Sequence, residues 1–181
     1  MQIKKIMHKN IYLTGFMGSG KSRIGKNLAK KLNVNFIDTD DVIELKYKKS
    51  IAQIFEVFGE KKFREIETEI ISELINRSPE SVIALGGGSL ISEKNQNLIE
   101  QTGTLIYIQS GLDMIWERTK NKTKRPLLLD NGKFPTKSLF MEKANELMEE
   151  RLTGYNKASI KIERDGKEAD EVVEEILRGI C

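Results

Sequence analysis

One stretch of the chain combines glycines with a lysine and a serine in a spacing suited to phosphate chemistry. It reads Gly15-Phe16-Met17-Gly18-Ser19-Gly20-Lys21-Ser22 and matches the pattern G-x-x-x-x-G-K-[ST]. Glycines let a backbone approach a polyphosphate closely and direct its N–H groups at the negative charge. We therefore expect this phosphate loop to bind a nucleotide, with Lys21 on the β- and γ-phosphates and Ser22 on Mg²⁺. The alternative is a glycine-rich turn between two elements.

The segments on either side of the phosphate loop have the patterns of a strand and a helix. Residues 10–14 form a short, mostly apolar run, which is typical of a buried strand. Ile24, Leu28 and Leu32 follow at four-residue spacing, which places them on one face of a helix. A strand, a loop and a helix in this order are the context in which the motif binds phosphate.

Two carboxylates, Asp38 and Asp40, follow a second predicted strand over residues 34–37. Side chains at i and i+2 of an extended segment point the same way, and strand ends near a phosphate loop carry ligand-contacting residues in α/β sheets. Asp38 could therefore hold Mg²⁺, and Asp40 could accept a hydrogen bond from a substrate hydroxyl. Both could equally act as N-terminal caps of a helix predicted over residues 42–48.

Three consecutive glycines, Gly86-Gly87-Gly88, follow an apolar run that predicts a third, fully buried strand over residues 81–85. Such a triple glycine lets a ligand come close to the backbone, although a plain flexible turn is the alternative. This strand carries no terminal aspartate, so the usual Walker B carboxylate is missing here. Asp38 therefore remains the best candidate for Mg²⁺.

Arginine is scarce in this lysine-rich chain, and its planar fork suits carboxylates and phosphates in a way that lysine does not. Four arginines lie in lysine-like surface contexts, namely Arg23, Arg77, Arg164 and Arg178. The other four do not, namely Arg64, Arg118, Arg125 and Arg151. Arg64 has Glu67 at i+3, which predicts either an arginine aimed at an anionic substrate or a weak surface pair. Arg151 could also simply complement the C-terminus of its helix.

The composition of the chain is that of a globular domain. The chain is 39% hydrophobic and 31% charged with a net charge of +3, values that favour a globular domain over a nucleic-acid binder. No apolar run approaches the length of a transmembrane helix. The single cysteine, Cys181, leaves no disulfide framework, and the single histidine, His8, is expected to be solvated. We expect one cytoplasmic, monomeric domain over residues 1–181 that binds neither nucleic acid nor membrane.

The order of elements predicts the fold class. Five apolar runs alternate with helical patterns, which predicts an α/β fold: a three-layer, doubly wound, five-stranded parallel sheet flanked by helices. Gly59 is expected to break the helical pattern that runs between about residues 40 and 75. Residues 119–135 are basic, hold two of the three prolines and have weak periodicity, which is typical of a lid or a binding loop.

Taken in order, these motifs resemble those of the shikimate kinases over essentially the whole chain. Beyond the phosphate loop, the matching pieces are Asp38-Thr39-Asp40, Ile54-Phe55 with Phe58-Gly59-Glu60 and Phe63-Arg64, Gly86-Gly87-Gly88, Arg118 with Arg125-Pro126-Leu127-Leu128, and Arg151 with Tyr155. The resemblance implies transfer of the ATP γ-phosphoryl group to the 3-hydroxyl of shikimate, with Mg²⁺ as cofactor. It also implies a place in the biosynthesis of chorismate and the aromatic amino acids.

The resemblance implies roles for individual residues on the two sides of the site. On the nucleotide side, Ser22 and Asp38 would serve Mg²⁺ and Arg118 would pack on the adenine. The catalytic residues would be Lys21, Asp40, which binds substrate hydroxyls and receives the proton, and Arg125, which meets the transferring phosphate from the lid. On the acceptor side, the shikimate carboxylate would be gripped by Arg64 and Arg151 above a floor formed by Gly86, Gly87 and Gly88, with helices of residues 40–75 around it.

Two residues depart from the pattern of the family, and two other functions stay open. Lys157 stands where the family often has glutamate, and Leu85 stands where a small or hydroxyl residue is common. The change at Lys157 could alter a pairing near Arg151. A related kinase of another small polyol acid, such as gluconate, and a non-catalytic nucleotide-sensing module are the alternatives.

Overall fold

The computed structural model describes residues 9–120 and 135–180, and every structural statement below concerns these residues. The strands are β1 (Asn10–Thr14), β2 (Phe36–Asp38), β3 (Val82–Ala84), β4 (Gly103–Gln109) and β5 (Ile160–Glu163). The helices are α1 (Lys21–Leu32), α2 (Thr39–Tyr47), α3 (Ile51–Arg77), α4 (Glu93–Thr102), α5 (Leu112–Thr119), α6 (Lys137–Tyr155) and α7 (Ala169–Ile180). A short 3₁₀ turn covers Ser89–Ile91.

The strands form one five-stranded sheet in the order β2-β3-β1-β4-β5. All of the pairs are parallel, so the carboxyl ends of the strands meet at one edge of the sheet. The register places Asp38 opposite Ala84, and Ala84 opposite Leu13. The segments that follow β1, β2 and β3 therefore leave the sheet at the same level, next to each other. In open α/β sheets this edge is where ligands bind.

The sheet lies between two layers of helices, because successive residues of a strand point to opposite faces. Ile11 and Leu13 of β1 pack on one face in a cluster with residues of α1 and α7. Tyr12, between them, packs on the other face in a cluster with residues of α3, α4 and the end of α6. The predicted three-layer, doubly wound parallel sheet is confirmed.

Helix boundaries follow local signals at several places. The hydroxyls of Ser50, Ser92 and Thr136 each accept a hydrogen bond from a backbone N–H of the first helical turn. Gly59 has φ 76° and ψ 169°, values that no helical residue adopts, and it kinks α3 where a break was predicted. Among residues 9–120 and 135–180, no helix is long and apolar enough to span a bilayer.

The region around Asp38 differs from the prediction. The second strand was expected over residues 34–37 and the next helix from residue 42, but β2 ends at Asp38 and α2 begins at Thr39. Asp40 therefore lies in the first turn of a helix and not on an extended segment. Asp38 caps that helix, since its Oδ1 accepts the backbone N–H of Asp40 at 3.1 Å. The two carboxylates are brought together by the cap and not by strand pleating.

Candidate active site at the carboxyl edge of the sheet

The phosphate loop turns sharply between β1 and α1, and glycine is required at its start. Gly15 has φ +143°, and a Cβ there would lie 2.5 Å from the carbonyl oxygen of Ile108 on the neighbouring strand. Gly20, at φ +98°, is the N-cap residue of α1. The ammonium of Lys21 donates to the carbonyl oxygens of Gly15, at 2.7 Å, and Phe16, at 3.2 Å, so it lies against the loop. This loop has the form that a phosphate cradle needs.

Two hard oxygen ligands meet beside the phosphate loop. The Ser22 hydroxyl donates to Asp38 Oδ2 at 2.6 Å, although the two residues come from different strand–helix junctions. Magnesium prefers oxygen ligands, keeps several waters, and is usually held by one or two protein groups plus substrate phosphates. No group of three or more histidine, cysteine or acidic side chains suited to a metal is present within the described ranges. The Ser22–Asp38 pair therefore fits Mg²⁺ bound together with a nucleotide.

Asp40 lies in a setting that holds its proton. Burial first, and then the nearby carboxylates of Asp38 and Glu67, raise the pKa of Asp40 from 3.8 to about 7, while Lys21 opposes the shift. A carboxyl group with a pKa close to neutral can both accept and release a proton under physiological conditions. Asp38 caps α2 and also lies beside Ser22, so its capping contact does not exclude a role at the site.

The triple glycine lies where acidic and basic side chains of the site converge. A Cβ on Gly86 would lie 2.6 Å from Glu67 Oε1 and 3.0 Å from Asp40 Oδ1. The N–H of Gly86 donates to the hydroxyl of the buried Thr39 at 3.0 Å, which ties this loop to the start of α2. A Cβ on Gly87 would lie 3.5 Å from the backbone nitrogen of Met17 in the phosphate loop. These contacts place the two loops side by side.

Arg64 is held by two glutamates of its own helix. Its guanidinium donates to Glu67 at 3.0 Å and to Glu60 at 2.9 Å. Only 1% of the Glu67 side chain is exposed, and its other oxygen accepts a hydrogen bond from the Ser89 hydroxyl at 2.6 Å. Because Glu67 is buried and Arg64 is bonded to both glutamates, this is not the weak surface ion pair that the sequence left open.

Arg151 is buried beside the middle residue of the triple glycine. It is 2% exposed, and its guanidinium lies 5.5 Å from the centre of the Phe16 ring. Its Nη1 would be 3.3 Å from a Cβ on Gly87, yet Nη1 and Nε have no hydrogen-bond partner among the described residues. Tyr155, one turn further along α6, donates to the carbonyl oxygen of Gly87 at 2.5 Å and fixes the loop. An arginine that only complemented the C-terminus of its helix would not need to be buried in this way.

Arg118 lies where β4 and β5 end, against residues that follow both strands. It donates to the Ser110 hydroxyl at 2.9 Å and to Asp165 at 3.2 Å. Asp165 also accepts the Ser110 hydroxyl and, at 2.6 Å, the N–H of Gly111. Asp165 and Ser110 were not singled out from the sequence, since neither belongs to a motif. Together they fix the arginine at the carboxyl ends of β4 and β5.

Arg164 does not have the surface position that its lysine-like context predicted. It is half-buried, and its Nε is completely covered. A Cβ on Gly20 would lie 3.7 Å from that nitrogen, so the Arg164 side chain borders the phosphate loop. The prediction failed because the residue follows the last position of an edge strand, where the sequence pattern does not distinguish solvent from a neighbouring loop.

With this geometry established, comparison with known proteins decides the family. The shikimate kinase family model matches residues 17–181. A shikimate kinase of Sulfurihydrogenibium sp. is 43% identical over 172 residues, covering 95% of this chain and 98% of the relative. The chain belongs to the shikimate kinase family. The predicted family and enzyme class, a kinase of the shikimate pathway, are confirmed.

Solved structures of shikimate kinases share this fold. The structure of the Acinetobacter baumannii shikimate kinase in complex with shikimate has a TM-score of 0.87 and 32% identity, covering 97% of this chain and 95% of the other. A gluconokinase of Sinorhizobium meliloti has a TM-score of 0.60 at 18% identity, covering 96% of this chain and 92% of the other. This second likeness concerns the fold alone.

The remaining sequence predictions concern the lid and the two departures from the shikimate kinase pattern. Arg125 and nearly all of the predicted lid, residues 121–134, lie outside the described residues. Leu85 is 1% exposed and packs in the apolar cluster beneath the triple glycine. Lys157 is exposed and lines a small cavity together with Gln96 and Glu100. Its effect on Arg151 stays a prediction.

Proposed function

We propose that this chain transfers the γ-phosphoryl group of ATP to the 3-hydroxyl of shikimate, giving shikimate 3-phosphate and ADP. The observation that carries the proposal is the triple glycine. Its three successive Cβ positions would touch Asp40, Arg151 and Arg64 in turn, within 3.0, 3.3 and 2.6 Å. A carboxylate acceptor for hydroxyl groups and two guanidinium groups for a carboxylate thus surround one short stretch of backbone beside the phosphate loop.

In this proposal Arg64 and Arg151 bind the shikimate carboxylate from two sides. Paired guanidinium groups supply directed, charge-assisted donors, which fix the orientation of a small rigid acid as well as its charge. Glu67 and Glu60 hold Arg64 in place, and Phe16 supports Arg151. With the carboxylate fixed, the ring hydroxyls lie toward Asp40 and the phosphate loop.

The reaction follows from that orientation. The substrate hydroxyl oxygen forms a bond to the γ-phosphorus, the bond from that phosphorus to the bridging oxygen of ADP breaks, and the hydroxyl proton passes to Asp40. The raised pKa of Asp40 suits a group that takes up this proton. Lys21 and the loop N–H groups stabilise the negative charge of the phosphates. Arg125, from the segment outside the described residues, is proposed to reach the transferring phosphate.

Ser22 and Asp38 are proposed to hold Mg²⁺ when a nucleotide is bound. The ion would supply charge neutralisation for the β- and γ-phosphates. Arg118, held by Ser110 and Asp165, is proposed to pack on the adenine. A cytoplasmic location is a further proposal, supported by the single cysteine and by the use of ATP. A monomeric state is proposed as well.

The experiment that tests the function compares ADP release by the purified chain with Mg-ATP and shikimate, gluconate or no acceptor. We expect strong release with shikimate alone, and shikimate 3-phosphate as the product by mass spectrometry. Release with gluconate instead would overturn the assignment of Arg64 and Arg151 to a ring carboxylate. ATP binding without stimulated release by either acid would favour a nucleotide-sensing module.

A further inference from the structure

Arg164 has a fixed backbone position at the carboxyl end of β5. Its N–H donates to the carbonyl oxygen of Gln109 at 2.8 Å, which continues the β4–β5 pairing one residue beyond the strand. The side chain extends toward the phosphate loop, with Nε 3.7 Å from where a Cβ of Gly20 would lie. The guanidinium therefore borders the glycine at which α1 begins.

The covered Nε of Arg164 has no hydrogen-bond partner in the described part of the chain. A buried donor without a partner destabilises the folded protein, because it has lost water and gained nothing in exchange. An arginine in a purely structural role would be expected to direct this donor at a carbonyl or carboxylate oxygen. The unpaired donor instead indicates an acceptor that is not part of the protein.

The surroundings of Arg164 disfavour the positive charge of its guanidinium. Burial first, and then the neighbouring Arg118, lower the pKa of Arg164, with Arg23 acting in the same direction. Two carboxylates, Asp165 and Glu168, oppose this, but each also faces another arginine. Asp165 accepts hydrogen bonds from Arg118, Ser110 and Gly111, and Glu168 lies 4.0 Å from Arg23. The arrangement gathers more positive charge beside the phosphate loop than these acids neutralise.

We propose that Arg164 is a nucleotide-binding residue whose guanidinium contacts the phosphate group nearest the ribose in both ATP and ADP. The inference rests on the proposed use of ATP. Asp40 lies against Gly86 in the acceptor site, so the transferring phosphate belongs on that side of the loop. Arg164 instead lies beside Gly20, with Arg118 and Arg23 as neighbouring positive charges, and is assigned to the part of the phosphate chain that stays with ADP.

The test uses ADP as the probe, with affinity measured by isothermal titration calorimetry on the full chain. The variants are Arg164→Gln, which removes the charge, and Arg164→Lys, which keeps the charge but loses the fork. The matched control is Arg178→Gln, because Arg178 is an exposed arginine of α7 and its neighbour Gly179 lies against Ile160, at the opposite end of β5 from Arg164. We expect ADP affinity to fall about tenfold or more in Arg164→Gln and by less in Arg164→Lys, with no change in the control.

Two further readouts separate binding from a structural role. The apparent melting temperature of nucleotide-free Arg164→Gln should equal or exceed that of the wild type, because the substitution removes an unpaired donor and a like-charge contact. The KM for shikimate at saturating ATP should be unchanged. An ADP affinity within twofold of the wild type would overturn the inference, as would a loss of affinity that comes with a lowered melting temperature. If the wild type itself bound no ADP, the proposed function would fail first and this inference with it.

Discussion

Arg64 and Gly88 lie so close that no side chain fits between them. A Cβ on Gly88 would lie 2.6 Å from Nη2 of Arg64 and 2.7 Å from Nη1, closer than carbon and nitrogen can approach without a bond. Both nitrogens are already committed to Glu67 and Glu60. The glycine therefore determines where the guanidinium can lie, and the two glutamates keep it there.

Gly88→Ala should weaken shikimate binding without affecting the nucleotide. The added methyl group must push Arg64 away from its present position, because the neighbouring backbone is anchored by the 3₁₀ turn at Ser89–Ile91. We expect the KM for shikimate to rise about tenfold, corresponding to about 1.4 kcal/mol, and the KM for ATP to change less than twofold. Steady-state kinetics with each substrate varied in turn measure both.

The control for this change is Gly179→Ala in α7, where a Cβ would meet only side-chain atoms of Ile160, at 3.3 Å or more. It should leave both KM values unchanged. Arg64→Ala sets the upper limit of the effect on shikimate. A Gly88→Ala enzyme with wild-type shikimate kinetics would contradict the placement of Arg64 in the acceptor site.

Ser89→Ala should destabilise the protein, whereas Ser81→Ala should not. Both hydroxyls are buried, but Ser89 donates to Glu67 at 2.6 Å and the Ser81 hydroxyl has no partner among the described residues. Removing the Ser89 hydroxyl takes a hydrogen bond from a buried carboxylate, which costs about 1–3 kcal/mol. We expect Ser81→Ala to be neutral or slightly stabilising. Urea denaturation of the two variants gives the comparison, and equal free energies of unfolding would refute it.

Arg151→Met should stabilise the protein while removing shikimate binding. The guanidinium of Arg151 is buried beside Phe16 with two unpartnered nitrogens, so an apolar side chain of similar length avoids that penalty. We expect a gain of about 1–3 kcal/mol in the free energy of unfolding. Arg77→Met, at an exposed position of α3, is the control and should change neither property. A destabilised Arg151→Met would mean that the buried charge has a structural partner.

Protonation of Asp40 should make stability depend on pH. Because its pKa is raised to about 7, the folded state binds more protons than the unfolded state between about pH 4 and pH 7. The free energy of unfolding should therefore fall as the pH rises through this window. Asp40→Asn removes the ionisable group, so its stability should fall less between pH 5 and pH 7.5. Urea denaturation in buffer containing EDTA measures this, and parallel pH profiles of the two proteins would contradict it.

Two arginines with unpaired buried nitrogens lie against the phosphate loop, Arg151 beside Phe16 and Arg164 beside Gly20. Each lowers the free energy of unfolding of the ligand-free protein, because a buried donor without a partner has lost its hydrogen bonds to water. Natural proteins accept such costs where binding needs a preformed charge, because groups that are already in place need not be ordered when the ligand arrives. The predictions on these two residues test this trade-off at the acceptor side and at the nucleotide side separately.

The sequence by itself determined the parts of this protein whose causes lie in neighbouring residues. The phosphate loop was predictable because its glycines and its lysine are consecutive and the steric demand is local. The caps at Ser50, Ser92 and Thr136 and the kink at Gly59 were predictable for the same reason. The parallel sheet followed from the alternation of apolar runs with helical patterns, and the family followed from the order of the motifs.

Only the tertiary structure decided which side chains share a partner. Asp38 both caps α2 and lies beside Ser22, because the register of β2 brings it level with the end of β1 through β3. Arg164 looked like a surface residue, yet it borders Gly20, because the sheet places the end of β5 near the phosphate loop. A one-dimensional pattern encodes which face of an element is buried, but it does not encode what the neighbouring element presents to that face.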